Sequence, residues 1–103
     1  MSTLTAITYS RETEGGTAHF AALVEHFLVA DGETMEQAIE HLELVVAQTV
    51  YANQECGQEA FHGIGAPPAK IRTAAAHAVT VQQAGKVHQV GGFAFSIEAM
   101  KAA

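Results

Sequence analysis

The sequence has one cysteine, no tryptophan, two prolines and only five lysines and arginines in 103 residues. A lone cysteine excludes an internal disulfide and a cysteine-built zinc site. Cys56 falls at the expected end of a helix, where the negative end of the dipole disfavours a thiolate. An inert, buried or half-buried thiol is therefore expected there. The shortage of cations argues against direct nucleic-acid binding, because phosphate contacts need Lys and Arg. Apolar runs such as Phe27-Leu28-Val29-Ala30 are too short to span a bilayer. The opening Met1-Ser2-Thr3-Leu4-Thr5 lacks the basic and apolar regions of a secretory signal. The expectation is a cytoplasmic protein that binds no membrane.

Hydrophobic residues make up 49% of the chain, but 20 of them are alanine. The 24 Val, Leu, Ile and Phe residues suffice for one modest core, so a single folded domain is expected. The net charge of −6 is unevenly spread. Ten of the eleven acidic residues lie between Arg11 and Lys70, an interval with no Lys or Arg. Such a surface suits a basic protein partner.

Alternation over residues 3–10 predicts a strand, and Arg11 to Gly16 a hairpin turn with Gly15-Gly16 supplying positive φ. Residues 17–30 read as one bent strand or two short ones, broken near Val24-Glu25, with a turn at Asp31-Gly32. A helix follows. Thr34 and Gln37 form a capping box, and Glu33 and Glu36 complement the positive helix end. Met35, Ala38, Ile39, Leu42, Val45, Val46, Thr49 and Val50 recur at helical spacing, and Gly57 stops the helix. Residues 58–77 are less periodic: Phe61 to Pro68 read as loop, and Lys70 to His77 as a short helical turn or linker. Residues 78–83 and 86–90 are expected to pair as a hairpin around Ala84-Gly85. Gly91-Gly92 then turn the chain into 93–97, where Ser96 can cap a last helical turn over 97–101. The expected fold is α+β: a small antiparallel β-sheet packed on one long amphipathic helix, with a C-terminal β-hairpin. Residues 1–66 form the ββ(β)α core, and 67–103 a loop and hairpin extension of the same domain.

Catalytic patterns are weak. Ser2, Ser10 and Ser96 occupy strand or terminal contexts without a Gly-x-Ser-x-Gly elbow. Gly63-Ile64-Gly65 lacks the third glycine and the Lys of a phosphate loop. None of the six histidines is paired at i, i+4 or as His-x-His, so no metal site is expected. Neither an enzyme nor a cofactor is expected. The remaining candidate is a partner-binding face: Glu33, Glu36, Glu40 and Glu43 fall together on the helix, with Leu44 as an apolar contact among them.

The run Glu14-Gly15-Gly16-Thr17-Ala18-His19-Phe20-Ala21, then Ala30-Asp31-Gly32-Glu33-Thr34-Met35-Glu36-Gln37-Ala38-Ile39, then Gly65-Ala66-Pro67-Pro68, resembles the HicB-like antitoxin family. The resemblance covers the first two thirds of the chain and rests on the order and spacing of short pieces. It implies a small antiparallel sheet on one helix, related to a degraded ribonuclease-H-like fold, that binds and covers a small basic RNA-cleaving toxin. Thr3 to Ser10 carries no carboxylate, so a metal-dependent nuclease would lack its first ligand there. Residues 69–103 show no helix-turn-helix pattern. The leading expectation is a non-catalytic, antitoxin-like inhibitor acting through its acidic surface. The alternative is a phage-type, anti-CRISPR-like inhibitor that blocks a nucleic-acid channel of a CRISPR effector subunit. Apolar strands at Ala18–Ala22 and Phe93–Ile97 suggest edge pairing into a homodimer.

Overall fold

The computed structural model describes residues 2–83 and 86–101. Its elements run β1 (Ser2–Thr13), β2 (Gly16–Leu23), β3 (Val29–Gly32), α1 (Met35–Glu55), α2 (Ala69–Ala76), β4 (Val79–Gln82), β5 (His88–Val90) and β6 (Phe93–Lys101). The architecture is α+β, with one mixed sheet in the order β3-β2-β1-β6-β4 and β5 also paired to β6. β1, β2 and β3 form an antiparallel meander. β1 and β6 pair in parallel, with Leu4 opposite Ile97 and Ala6 opposite Ala99. The sheet is therefore antiparallel at every pair except this one. A parallel pair requires a long crossover, and everything from β2 to β5 supplies it.

Side-chain alternation divides the sheet into two faces. Leu4, Ala6, Ala21, Leu23, Ala30, Phe95, Ile97 and Ala99 pack with Ala38, Ile39, Leu42, Val46 and Val50 of α1 as one core. Small alanines in the strands let the 21-residue helix lie close over the sheet. Ile7 and Ala22 point the opposite way and meet Ile71 of α2, with Tyr9, Val24, Ala74, Ala78 and Met100 around them. Thr8 is buried, and its hydroxyl donates to Met100 O at 3.0 Å.

α1 begins and ends as its sequence predicts. Gln37 N–H donates to Thr34 Oγ1 at 3.0 Å, and Gly57 takes φ +70 just beyond the C-cap residue Cys56. The reciprocal bond of the box is displaced by one residue, since Gln37 Oε1 accepts from Glu33 N–H at 2.7 Å rather than from Thr34. Cys56 is exposed, contrary to the expected burial, because it lies past the last turn whose residues face the sheet.

Several local expectations are corrected. β1 continues to Thr13, leaving Glu14-Gly15 as the turn, and Asp31-Gly32 belong to β3. Segments 78–83 and 86–90 do not pair with each other: both line the same edge of β6, with a register shift between Thr80 and Gln82. The proposed turn at Ala84-Gly85 lies outside the described residues. The C-terminal hairpin is instead β5–β6 about Gly91-Gly92. Ser96 starts no helical turn; it is 2% exposed inside β6, where parallel pairing with Thr3 of β1 holds an extended backbone. Ala18–Ala22 and Phe93–Ile97 offer no sheet edge, since β2 and β6 are interior strands. The edges are β3 and the β4–β5 line.

Candidate partner-binding groove

Burying Ala38, Ile39, Leu42, Val46 and Val50 fixes the rotation of α1. At about 100° per residue, Glu36, Glu40, Glu43 and Ala47 then form one stripe, with Leu44 beside it. This stripe faces the β4–β5 edge. Glu40, Glu43, Leu44 and Ala47 line one stretch of a groove opposite Lys86 and His88. Glu36, Ile39, Glu40 and Glu43 line the next stretch opposite Gln82 and Lys86. Shared residues make the two stretches continuous.

Of the five residues expected to bind a partner, four come together here. Glu33 does not, because it precedes the N-cap and its backbone N–H is held by the Gln37 side chain. Glu36 and Glu40 are exposed. Glu43 is not simply solvated: its side chain retains 16% of its accessible surface, and Oε2 meets Nε2 of His88. Leu44 is 59% exposed in the groove, as the period of the helix predicts. Tyr51, two turns along from Leu44, is 58% exposed. Val79, Val81 and Val87 are exposed on or beside the edge strands.

Sequence reasoning missed Tyr51, Lys86, His88 and the three valines. Tyr51 was detectable, since it sits at i+7 from Leu44 on the same side of a helix already assigned. The others were not, because their relation to α1 depends on β4 and β5 lining β6.

His88 is also the end of an aromatic series. Its ring stacks on Phe95 at 5.1 Å, Phe95 on Phe93 at 6.0 Å, and Phe93 meets the edge of Phe61 at 5.8 Å. Phe61 in turn stacks on His26 at 4.0 Å. The series ties the loop after α1 and the β2–β3 connection to the groove.

The arrangement presents carboxylates, a few apolar contacts and an open strand edge. Among the described residues, no group of three or more His, Cys, Asp or Glu converges in a way that could hold a metal ion. No helix among them is long and apolar enough to cross a membrane. No family model, curated protein or solved structure matches the chain.

Proposed function

We propose that this protein is a non-catalytic binding module whose α1/β4–β5 groove takes a basic protein partner. In the antitoxin-like reading, that partner is a small RNA-cleaving enzyme in the cytoplasm. One observation carries the proposal: Glu36, Glu40 and Glu43 line a continuous groove with the exposed Leu44 and an open sheet edge. Carboxylates around an apolar contact steer a basic partner and then hold it. The free edge adds backbone donors and acceptors for an extended segment. A nuclease partner has a basic RNA-binding surface, and an acidic groove can occupy it in place of phosphate.

The test lies in the neighbouring reading frame. A small basic protein encoded there should arrest growth when expressed alone and be silenced by coexpression of this chain. Reversing Glu36 and Glu40 to Lys should restore the arrest. A neighbour without RNA-cleaving activity, or rescue that survives the reversal, overturns the antitoxin reading.

A second reading is a phage-type inhibitor that fills a nucleic-acid channel of a CRISPR effector. Its support is that α2 and β4–β6 pack onto the same sheet, with no second helix near α2 to make a DNA-reading pair among the described residues. Loss of CRISPR interference on expressing the chain, with no effect on a neighbouring ribonuclease, selects this reading.

A further inference from the structure

The opposite side of the sheet carries a second, chemically different cavity. It lies between β1 and α2, has a volume of about 270 Å³, and is lined by Ile7, Tyr9, Ser10, Arg11, Lys70, Ile71 and Ala74. Its base is apolar: Ile7 is 1% and Ile71 7% exposed, and Ala74 packs beside them. Its rim is cationic. Two of the five Lys and Arg residues of a chain with net charge −6 converge on this one opening.

Among the described residues the single carboxylate contact within 4 Å is that of Glu43 with His88, so Arg11 and Lys70 have no such partner. Arg11 is nevertheless placed rather than loose. Its guanidinium carbon sits 5.7 Å from the Phe20 ring centroid, and Phe20 stacks on Tyr9 at 5.2 Å. A guanidinium held by an aromatic face keeps its N–H fork available for a planar anion.

We propose that this cleft is a binding site for a small amphipathic carboxylate, with an aromatic ring or short alkyl chain as its apolar part. The apolar part rests on Ile71 and Ala74, and the carboxylate sits between Arg11 and Lys70. Three features select this class. Two fixed-sign cations call for an anion, and the Arg fork suits a carboxylate. The apolar base rewards a hydrocarbon body that inorganic anions lack. The volume falls below that of pockets for drug-sized ligands, so the ligand is small. The site is independent of the groove on α1.

The experiment is an amide chemical-shift titration of the whole protein with benzoate, benzyl alcohol and inorganic phosphate in parallel. Benzoate should give saturable shifts confined to Ile7–Arg11 and Lys70–Ala74, at least tenfold tighter than either comparator. Arg11→Gln with Lys70→Gln should weaken benzoate at least tenfold while leaving the rest of the spectrum in place, since both side chains are on the surface. Ala74→Leu, which fills the cleft and keeps both cations, should abolish the shifts. Equal binding of benzyl alcohol reduces the site to an apolar crevice, and equal binding of phosphate to a generic cationic patch. Either result, absence of saturation, or indifference to the double substitution overturns the proposal.

Discussion

The His88 imidazole lies against the Phe95 ring, with centroids 5.1 Å apart and planes 20° from parallel. Phe95 is fully buried under α1, whereas His88 is half-buried and meets Glu43 on that helix. One histidine thus couples the short strand β5 to both the sheet core and the groove side of α1. Stacked aromatic pairs contribute about 0.5–1.5 kcal/mol beyond area burial. His88→Ala is therefore expected to lower stability by about 1–2 kcal/mol in urea unfolding. A double-mutant cycle with Glu43→Ala should show non-additivity of about 0.5–1 kcal/mol. Strict additivity means that the Glu43 contact contributes nothing to folding.

The core prediction concerns Phe95 itself. It is the third residue of β6, 0% exposed, and belongs to both the α1 core and the aromatic series. Phe→Ala at such sites costs about 3–5 kcal/mol. Domains of this size are stable by only about 5–15 kcal/mol. Phe95→Ala should therefore move the urea midpoint sharply downward and leave a large unfolded fraction at 37 °C. A shift no larger than that of a surface substitution would mean β6 is not packed against α1 as described.

Gly32 tests the approach of β3 to the helix. A Cβ there would stand 2.6 Å from Ala38 N and 2.9 Å from Gln37 C. Both are backbone atoms in the first turns of α1, so neither can rotate away. Overpacking of this kind costs about 1–3 kcal/mol. Gly32→Ala should fall in that range by thermal unfolding. Gly15→Ala, with nothing within 4 Å of its Cβ, serves as the control. Equal effects of the two would remove the close approach from the account.

These three sites differ in how readable they were. α1 was legible to within a residue, because a 3.6-residue period, a capping pair and a stop glycine all act locally. The strands of the meander were legible in kind through alternation and Gly15-Gly16, but not in their ends, since β1 runs on to Thr13 and Gly32 lies within β3. The partners of β4, β5 and β6 were not legible. Alternation at Val79–Gln82 or Phe93–Ile97 marks extended chain, but pairing is decided by contacts across the whole sequence. The parallel alignment of Leu4 with Ile97 leaves no local signature. Ser96 illustrates the conflict, since a residue suited to capping a helix is drawn into an interior strand. The site divides along the same line: the Glu stripe and Leu44 follow from helix period, whereas Lys86 and His88 depend on non-local pairing.

The last prediction separates charge from contact in the groove. Glu36 and Glu40 are exposed and have no ion-pair partner among the described residues, so reversing both to Lys leaves every described contact intact. Glu40→Lys should change stability by about 0.5 kcal/mol or less, whereas Glu36→Lys also removes the carboxylate in the first turn of α1 and should cost about 0.3–1 kcal/mol. Glu43→Lys is different, because it sets an ammonium group against His88, and it should destabilise the fold as well. The better test is therefore the pair Glu36→Lys and Glu40→Lys, with Glu43 left in place. Against the basic partner, this pair should slow association steeply and flatten its dependence on salt. Leu44→Ala should keep the association rate and raise the dissociation rate, because it removes apolar contact without changing charge. Stopped-flow binding across a salt series reads both rates. If the paired reversal associates as fast as the wild type at low salt, the stripe is only solvated surface. Recognition must then lie along the β4–β5 edge, where Val79 and Val81 would be the next residues to change.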